Sequence, residues 1–210
     1  MRVIVCGASG ATGRQLVGQA LADGHQVTAF VRNVSRLDTR SGQLTVVVGD
    51  VAQETVVASA VGGQDGVLCA LGAATPLRRD RTLVEVVRHI VCAMERSGVR
   101  RLVYLSFLGV REGRSQLGMV GRYLVAPVLL RNLVADHEAK ERFTKQSTLD
   151  WVIVRPPRLT NGARQGSYRS GVNVRAISVI PRISRADLAE FMLRQISDKT
   201  YVRKTPAVMY

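Results

Sequence analysis

Carboxylates are scarce in this chain. Its 210 residues hold 16 Asp+Glu against 30 Lys+Arg, a formal net charge of +14. Rings are few as well, with one Trp, four Phe and five Tyr. The basic residues are scattered, without a run of five and without interleaved rings, so no stacking platform for bases is formed. No helix-turn-helix, zinc-finger or RNP pattern is present, and direct nucleic-acid binding is not expected. The excess charge then has two readings: a solvated basic surface, or attraction of an acidic ligand.

Cysteine is equally sparse. Cys6, Cys69 and Cys92 lie far apart with no C-x-x-C between them, which excludes a disulfide framework and fits small buried hydrophobes in a reducing cytosol. No apolar run approaches the length of a membrane span, and no leader-like segment precedes the first apolar run, so a soluble, cytoplasmic protein is expected. No Cys/His/Asp spacing suggests a metal site. Of the three histidines, His25 follows a turn and His89 falls on the polar side of a helix. His137 lies between Asp136 and Glu138, where a solvated helix face is the simpler reading and a caged proton donor the alternative.

What is present is an alternation of apolar runs and helical patterns. Strands are predicted at 3–6, 26–31, 44–48, 66–71, 101–105 and 149–154, with a last one within 202–208. Helices are predicted at 10–22, 53–60 and 80–97, and from 184 to about 196. Leu117 to Gln146 reads as mostly helical but broken at Pro127. The third helix is the clearest, with Leu83, Val87, Ile90 and Met94 on one stripe and Gly98 as its stop. Ser184 caps the last, with Asp187 at the third position in a capping-box-like pattern. Continuous Val-rich strands alternating with helices predict a single α/β domain over 1–210. Its core is a doubly wound, mostly parallel Rossmann-type sheet with helices on both faces.

The first strand ends in G-A-S-G-A-T-G, with Gly7, Gly10 and Gly13 three residues apart. Such a turn lets backbone approach a pyrophosphate. The helix that follows offers the free N–H groups of Gly10, Ala11 and Thr12, with hydroxyls from Ser9 and Thr12. At the end of the second strand an acid would hold the ribose of NAD, whereas arginine accommodates a 2′-phosphate. Here Arg32 stands in that place and Arg36 follows, which predicts NADPH. Asp50 and Val51 after the third strand suit an adenine edge, although Asp50 could equally cap the next helix. Leu71, Gly72 and Ala73 after the fourth strand are small enough to run beside a ribose.

With these residues in place, the chain resembles the NmrA-like, NAD(P)-binding group of atypical short-chain dehydrogenase/reductases, and within it the flavin and biliverdin IXβ reductases. The resemblance runs over GASGATG, TAFVRNVSRL, VVVGDV, GQDGVLCALG, YLSFLG, LDWVIVRPPR and ISRADLAEFMLRQ. It implies NADPH along the strand ends, with Pro156 beside it, and hydride transfer to a flavin or similar flat conjugated acceptor. Ser106 of YLSFLG matches the active-site serine, able to orient the carboxamide or relay a proton; its alternative is a bond that merely finishes strand five. Where those reductases carry a histidine after Pro-Pro, this chain has Arg158, which can grip an anion but cannot act as an acid. Ala74 stands where they carry an arginine, and together these changes point away from biliverdin. There is no Tyr-x-x-x-Lys pair, since Pro127 stands four residues after Tyr123, which suits acceptors that take protons from water.

Two segments, about 108–127 and 158–180, are expected to cover the acceptor. They carry Arg111, Arg114, Arg122, Arg158, Arg164, Arg169 and Arg175, with Tyr168 as a stacking ring, and the alternative is an ordinary solvated loop. The resulting expectation is an NADPH-dependent reductase, with Ser106 and Arg158 as catalytic residues, acting on an anionic aromatic small molecule as a monomer or homodimer. The competing expectation is an NADP(H)-binding redox sensor without turnover.

Overall fold

The computed structural model describes residues 1–34, 37, 39–72, 81–110, 116 and 131–210, with side chains omitted at 81 and 131–133. Six strands form one parallel sheet: β1 (Arg2–Cys6), β2 (Gln26–Val31), β3 (Leu44–Val48), β4 (Gly66–Cys69), β5 (Arg101–Leu105) and β6 (Asp150–Val154). Their order is β3-β2-β1-β4-β5-β6, so the chain reverses direction of travel between β1 and β4. Helices α1 (Ala11–Ala22) and α5 (Arg185–Arg194) pack together; α2 (Glu54–Val61) packs on α3 (Arg81–Ser97), and α3 on α4 (Arg131–Gln146).

Alternate residues of β1 feed different cores. Val3 and Val5 join Leu16 and Leu188 on the α1/α5 side, while Ile4 and Cys6 join Val57 and Ile90 on the α2/α3 side. A strand buried on both faces must be apolar throughout, which is why these strands read as continuous runs. The prediction of a doubly wound sheet with helices on both faces is therefore met. Burial also keeps the thiols of Cys6 and Cys69 protonated, with Cys69 raised to about 11; Cys92 is only half-buried.

The helices stop where expected. His25 N–H donates to Ala20 O at 2.9 Å beyond α1, and Val99 N–H to Met94 O at 3.0 Å beyond α3. Ser184 Oγ accepts from Asp187 N–H at 3.0 Å and caps α5. Other boundaries shift. β4 ends at Cys69 rather than 71, because Ala70 and Leu71 turn across the top of the glycine loop. α4 begins at Arg131, and the residues before it, Pro127 included, lie outside the described residues. In place of a long last strand there are short ones: β7 (Arg158–Thr160) pairs parallel with β9 (Arg182–Ser184), and β8 (Arg169–Gly171) pairs antiparallel with β10 (Ala207–Met209). Lys204 and Ala207 only bridge to Val152 and Arg155 at the edge of β6.

Candidate active site

The carboxyl ends of β1, β2, β4 and β5 open into two connected cavities. The outer one, about 300 Å³, is lined by Gly7, Ser9, Arg32 and Val51. The inner one, about 410 Å³, is lined by Thr12, Ser106, His137, Pro156 and Arg185. Gly10, Ala70, Leu71 and Gly72 line both, so the glycine loop sits where they meet. This is the crevice at the reversal of strand order, where doubly wound sheets bind ligands.

The loop admits no side chain at two points. Gly7 has φ +85°, and a Cβ there would lie 2.8 Å from Ala70 O; at Gly13 a Cβ would lie 2.0 Å from Gly7 O. The first glycine therefore makes the turn and the last lets α1 press against β1. Helix α1 has no side-chain cap and no acid in its first turn, so its leading N–H groups and positive dipole end face the crevice. Arg14 points back instead, its guanidinium donating to Ser9 O at 2.8 Å. A pyrophosphate fits this cradle, and the exposed Arg32 lines the outer cavity.

The structure gives Asp50 a local backbone partner without making it the cap of α2, whose N-cap is Gln53. Asp50 Oδ1 accepts from Ala52 N–H at 2.9 Å, a local turn leading into α2, and Asp50 is not among the residues lining the outer cavity, whereas Val51 is. Arg36 and Ala73 lie outside the described residues. Leu71, Gly72 and Pro156 line the inner cavity.

The inner cavity rests on a polar cluster that sequence reading placed elsewhere. His137 is buried, not on a solvated face: its Nδ1 lies 3.2 Å from Tyr104 Oη and 3.4 Å from Ser106 Oγ. Ser106 donates its hydroxyl to Glu141 Oε1 at 2.7 Å. Glu141 in turn takes a bidentate pair from Arg155, 3.0 Å from Nε and 2.6 Å from Nη2, and a further contact of 3.2 Å from Lys145. Arg155 and Glu141 are 2% and 1% exposed, so this pair stands in a low-dielectric interior.

Proton positions follow from the donor inventory. The single proton of Ser106 points at Glu141, so the hydroxyl offers the cavity only its lone pairs. Tyr104 has no other acceptor among the described residues, and a protonated Nδ1 would leave its buried O–H unmet. This network assigns the proton of His137 to Nε2. Burial, and secondarily the charge of Lys140, lower His137 to about 3, so it is neutral at neutral pH. Burial likewise pushes the Tyr104 phenol well up, with Cys69 and Glu141 adding to it. The floor is thus a neutral imidazole donor beside a hydroxyl acceptor. The sequence favoured a solvated face for His137, with a caged donor as the alternative, because Asp136 and Glu138 surround it with apparent surface charge.

Arg158 is not brought to Ser106. Its neighbours Pro157 and Leu159 line the inner cavity, while Arg158 lines a separate groove with Arg182. Arg185 enters the inner cavity instead, its guanidinium 2.6 Å from Asn161 Oδ1. Tyr168 is no stacking ring, for it packs edge-on against Phe191 in the core at 6.1 Å. Arg164 pairs with Glu190, and Arg169 donates to the main-chain oxygens of Arg175 and Tyr210. The 158–180 segment is held to α5 by Asp187, which accepts from Gln165 N–H, Gly166 N–H, Ser184 and Tyr210. Burial opposes that charge, but the hydrogen bonds prevail and keep its carboxyl below the usual range. Arg111, Arg114 and Arg122 lie outside the described residues. Among those described, no cluster of His, Cys, Asp and Glu could hold a metal ion, and no helix is long and apolar enough to cross a membrane.

Strand order, glycine turn and uncapped helix together define a dinucleotide-binding protein of the doubly wound class. The chain belongs to the NAD(P)H-binding family, whose model matches residues 7–199. It is similar to the photosystem II assembly factor Ycf39 of Synechocystis sp., 24% identical over 226 residues, covering 100% of this chain and 62% of that one. It is 30% identical over 177 residues to an uncharacterized chloroplastic protein of Arabidopsis thaliana, covering 79% and 62%. The chain spans less than two thirds of the length of these curated relatives. Among solved structures, its fold is shared by a short-chain dehydrogenase/reductase from Veillonella parvula in complex with NADP, with a TM-score of 0.81 and 19% identity over 99% of this chain and 93% of that one. It is shared also by ChuY, an anaerobillin reductase from Escherichia coli O157:H7, with a TM-score of 0.78 and 21% identity over 99% and 96%.

Proposed function

We propose that the protein is a cytoplasmic NADPH-dependent reductase that passes hydride to a flavin or a similar flat, conjugated, anionic acceptor. The observation that carries the reading is the continuity of the crevice, from Arg32 through the glycine loop to Ser106 and His137. The likeness to an NADP complex and to an anaerobillin reductase supports it at the level of fold.

In this reading the α1 N-terminus and the loop hold the pyrophosphate, Arg32 the 2′-phosphate, and Leu71, Gly72 and Pro156 flank the nicotinamide half. NADPH, when bound, supplies the hydride. Ser106, its own proton committed to Glu141, accepts from a carboxamide N–H and fixes the ring's orientation. His137 donates from Nε2 without changing charge, which steadies a polar atom of acceptor or cofactor but adds no acid. The proton then comes from water, as flavins allow. The work is positioning: two flat systems are held face to face, and the chain contributes little covalent chemistry.

The test is NADPH oxidation followed at saturating cofactor with FMN, FAD, quinones and linear tetrapyrroles. Turnover with at least one acceptor, reduced about tenfold or more in Ser106→Ala, supports the assignment. Tight NADPH binding with no oxidation across the panel overturns it in favour of a redox sensor.

A further inference from the structure

On the face of β7 turned away from the inner cavity, the fold sets two arginines against each other. Arg158 and Arg182 are register partners in the parallel pairing of β7 with β9. Their side chains therefore leave the same face of the ribbon from backbones about 4.8 Å apart. Like charges directly opposite on paired strands are destabilising. Both are exposed, and no Asp or Glu side chain lines the groove they share among the described residues. Other arginines nearby are answered, Arg164 by Glu190 and Arg185 by Asn161; these two have no acidic side-chain partner among the described residues.

The same groove, about 730 Å³, is walled by Ile177, Val179, Ile180 and Tyr210. Among the described residues, those three aliphatic side chains are the most exposed large hydrophobics, at 83%, 72% and 62%. Exposed apolar surface beside a patch of one charge marks a binding surface rather than a solvated loop. Two costs thus fall in one place, opposed guanidiniums and wetted aliphatics, and one kind of ligand relieves both.

We propose that this groove is a binding site for an amphipathic anion: a carboxylate or phosphate gripped by Arg158 and Arg182, with an extended aliphatic body lying along Ile177, Val179 and Ile180. Two guanidinium forks suit the planar or tetrahedral oxygens of such a headgroup. Pro157 and Leu159 line the inner cavity, and a strand sends alternate residues to opposite faces, so β7 alone separates the two sites. The site stands whether or not the crevice turns over NADPH.

Free acid and lipid headgroup share this chemistry, and two arms separate them. Dodecanoate, kept below its micellar concentration, is titrated calorimetrically into the full chain. Saturable binding is expected, weakened about tenfold in Arg158→Ala and in Arg182→Ala, the equivalent of roughly 1.4 kcal/mol each. Acetate and dodecanol, each lacking one half of the ligand, bind weakly, and Ile177→Ser with Ile180→Ser weakens dodecanoate alone. In the second arm, sedimentation with phosphatidylglycerol vesicles but not phosphatidylcholine assigns the anion to a headgroup. It must be lost in R158A/R182A and kept in R40A/R142A, which removes the same charge elsewhere. Binding of dodecanoate without vesicles assigns it to a free acid. The proposal is overturned if neither probe binds, or if the R158A/R182A or R158Q/R182Q protein, melting like the parent, binds as well as the parent does.

Discussion

At the β1–α1 turn the crevice is made largely of main chain, glycines and helix N–H groups, with Arg32, among the described residues, as the one charged residue in the lining. Under Ser106 it is made of side chains contributed by three elements, Tyr104 from β5, His137 and Glu141 from α4, and Arg155 from the end of β6. The first construction tolerates almost any neighbour but no added atom. The second tolerates small shifts of atoms but no missing partner. Each half should therefore fail in its own way.

The largest effect belongs to the side-chain half. Glu141→Leu takes from Arg155 its bidentate carboxylate partner in the interior, and urea unfolding should show a loss of about 3–5 kcal/mol. Adding Arg155→Met should restore most of it, since removing both charges removes the desolvation cost; a double variant no more stable than the single one would refute the pairing. Next comes Gly13→Ala, whose methyl would sit 2.0 Å from Gly7 O. It should cost up to about 3 kcal/mol by overpacking, and calorimetry should show NADPH affinity falling with it, because the turn that moves is the cradle. Equal stability with unaltered affinity would mean the loop is less tightly packed than described.

Arg32→Ala should leave the fold intact and act on cofactor choice alone. Its charge-assisted bonds are worth about 2 kcal/mol, so the ratio of NADH to NADPH dissociation constants should change about thirtyfold. An unchanged ratio removes the 2′-phosphate from Arg32. The most gradual effect is a slope. His137 titrates near 3 in the fold against 6.5 in the unfolded chain, through burial and then Lys140. The unfolded chain thus takes up its proton first as pH falls below 6.5, and folded stability drops toward acid by up to about 1.4 kcal/mol per pH unit between roughly pH 6 and 4. Asp150, Asp187 and Asp198 are held below the ordinary 3.8, so what they contribute is lost only further into acid. His137→Gln should flatten unfolding free energy over the upper window; a slope that persists belongs to another group.

The same contrast decides what could be read from sequence. Gly7, Gly10, Gly13 and Arg32 act through local spacing and through where a strand ends, and both are written along the chain. The doubly wound parallel sheet follows from Val-rich runs alternating with helices, so it too was legible. The cluster under Ser106 joins residues 31 to 35 positions apart, and nothing in A-D-H-E-A-K-E distinguishes a buried His and Glu from a solvated helix face. Arg158 was misplaced by one step of strand alternation: β7 begins there, and the pleat turns it away from the neighbours that line the cavity. Asp50 shows a third kind of ambiguity, where one carboxylate could serve ligand or backbone; one of its oxygens accepts from Ala52 N–H.

The bare start of α1 has one more consequence. Helix α5 finishes its own hydrogen bonding with Ser184, but α1, like α2, begins with no side chain to do so. A dinucleotide settling there closes the helix as a cap would. Occupancy and endurance then rise together: at a hundred times its dissociation constant such a ligand adds about 2.7 kcal/mol to the unfolding free energy. In a cell, the persistence of this chain becomes a readout of the nicotinamide pool around it.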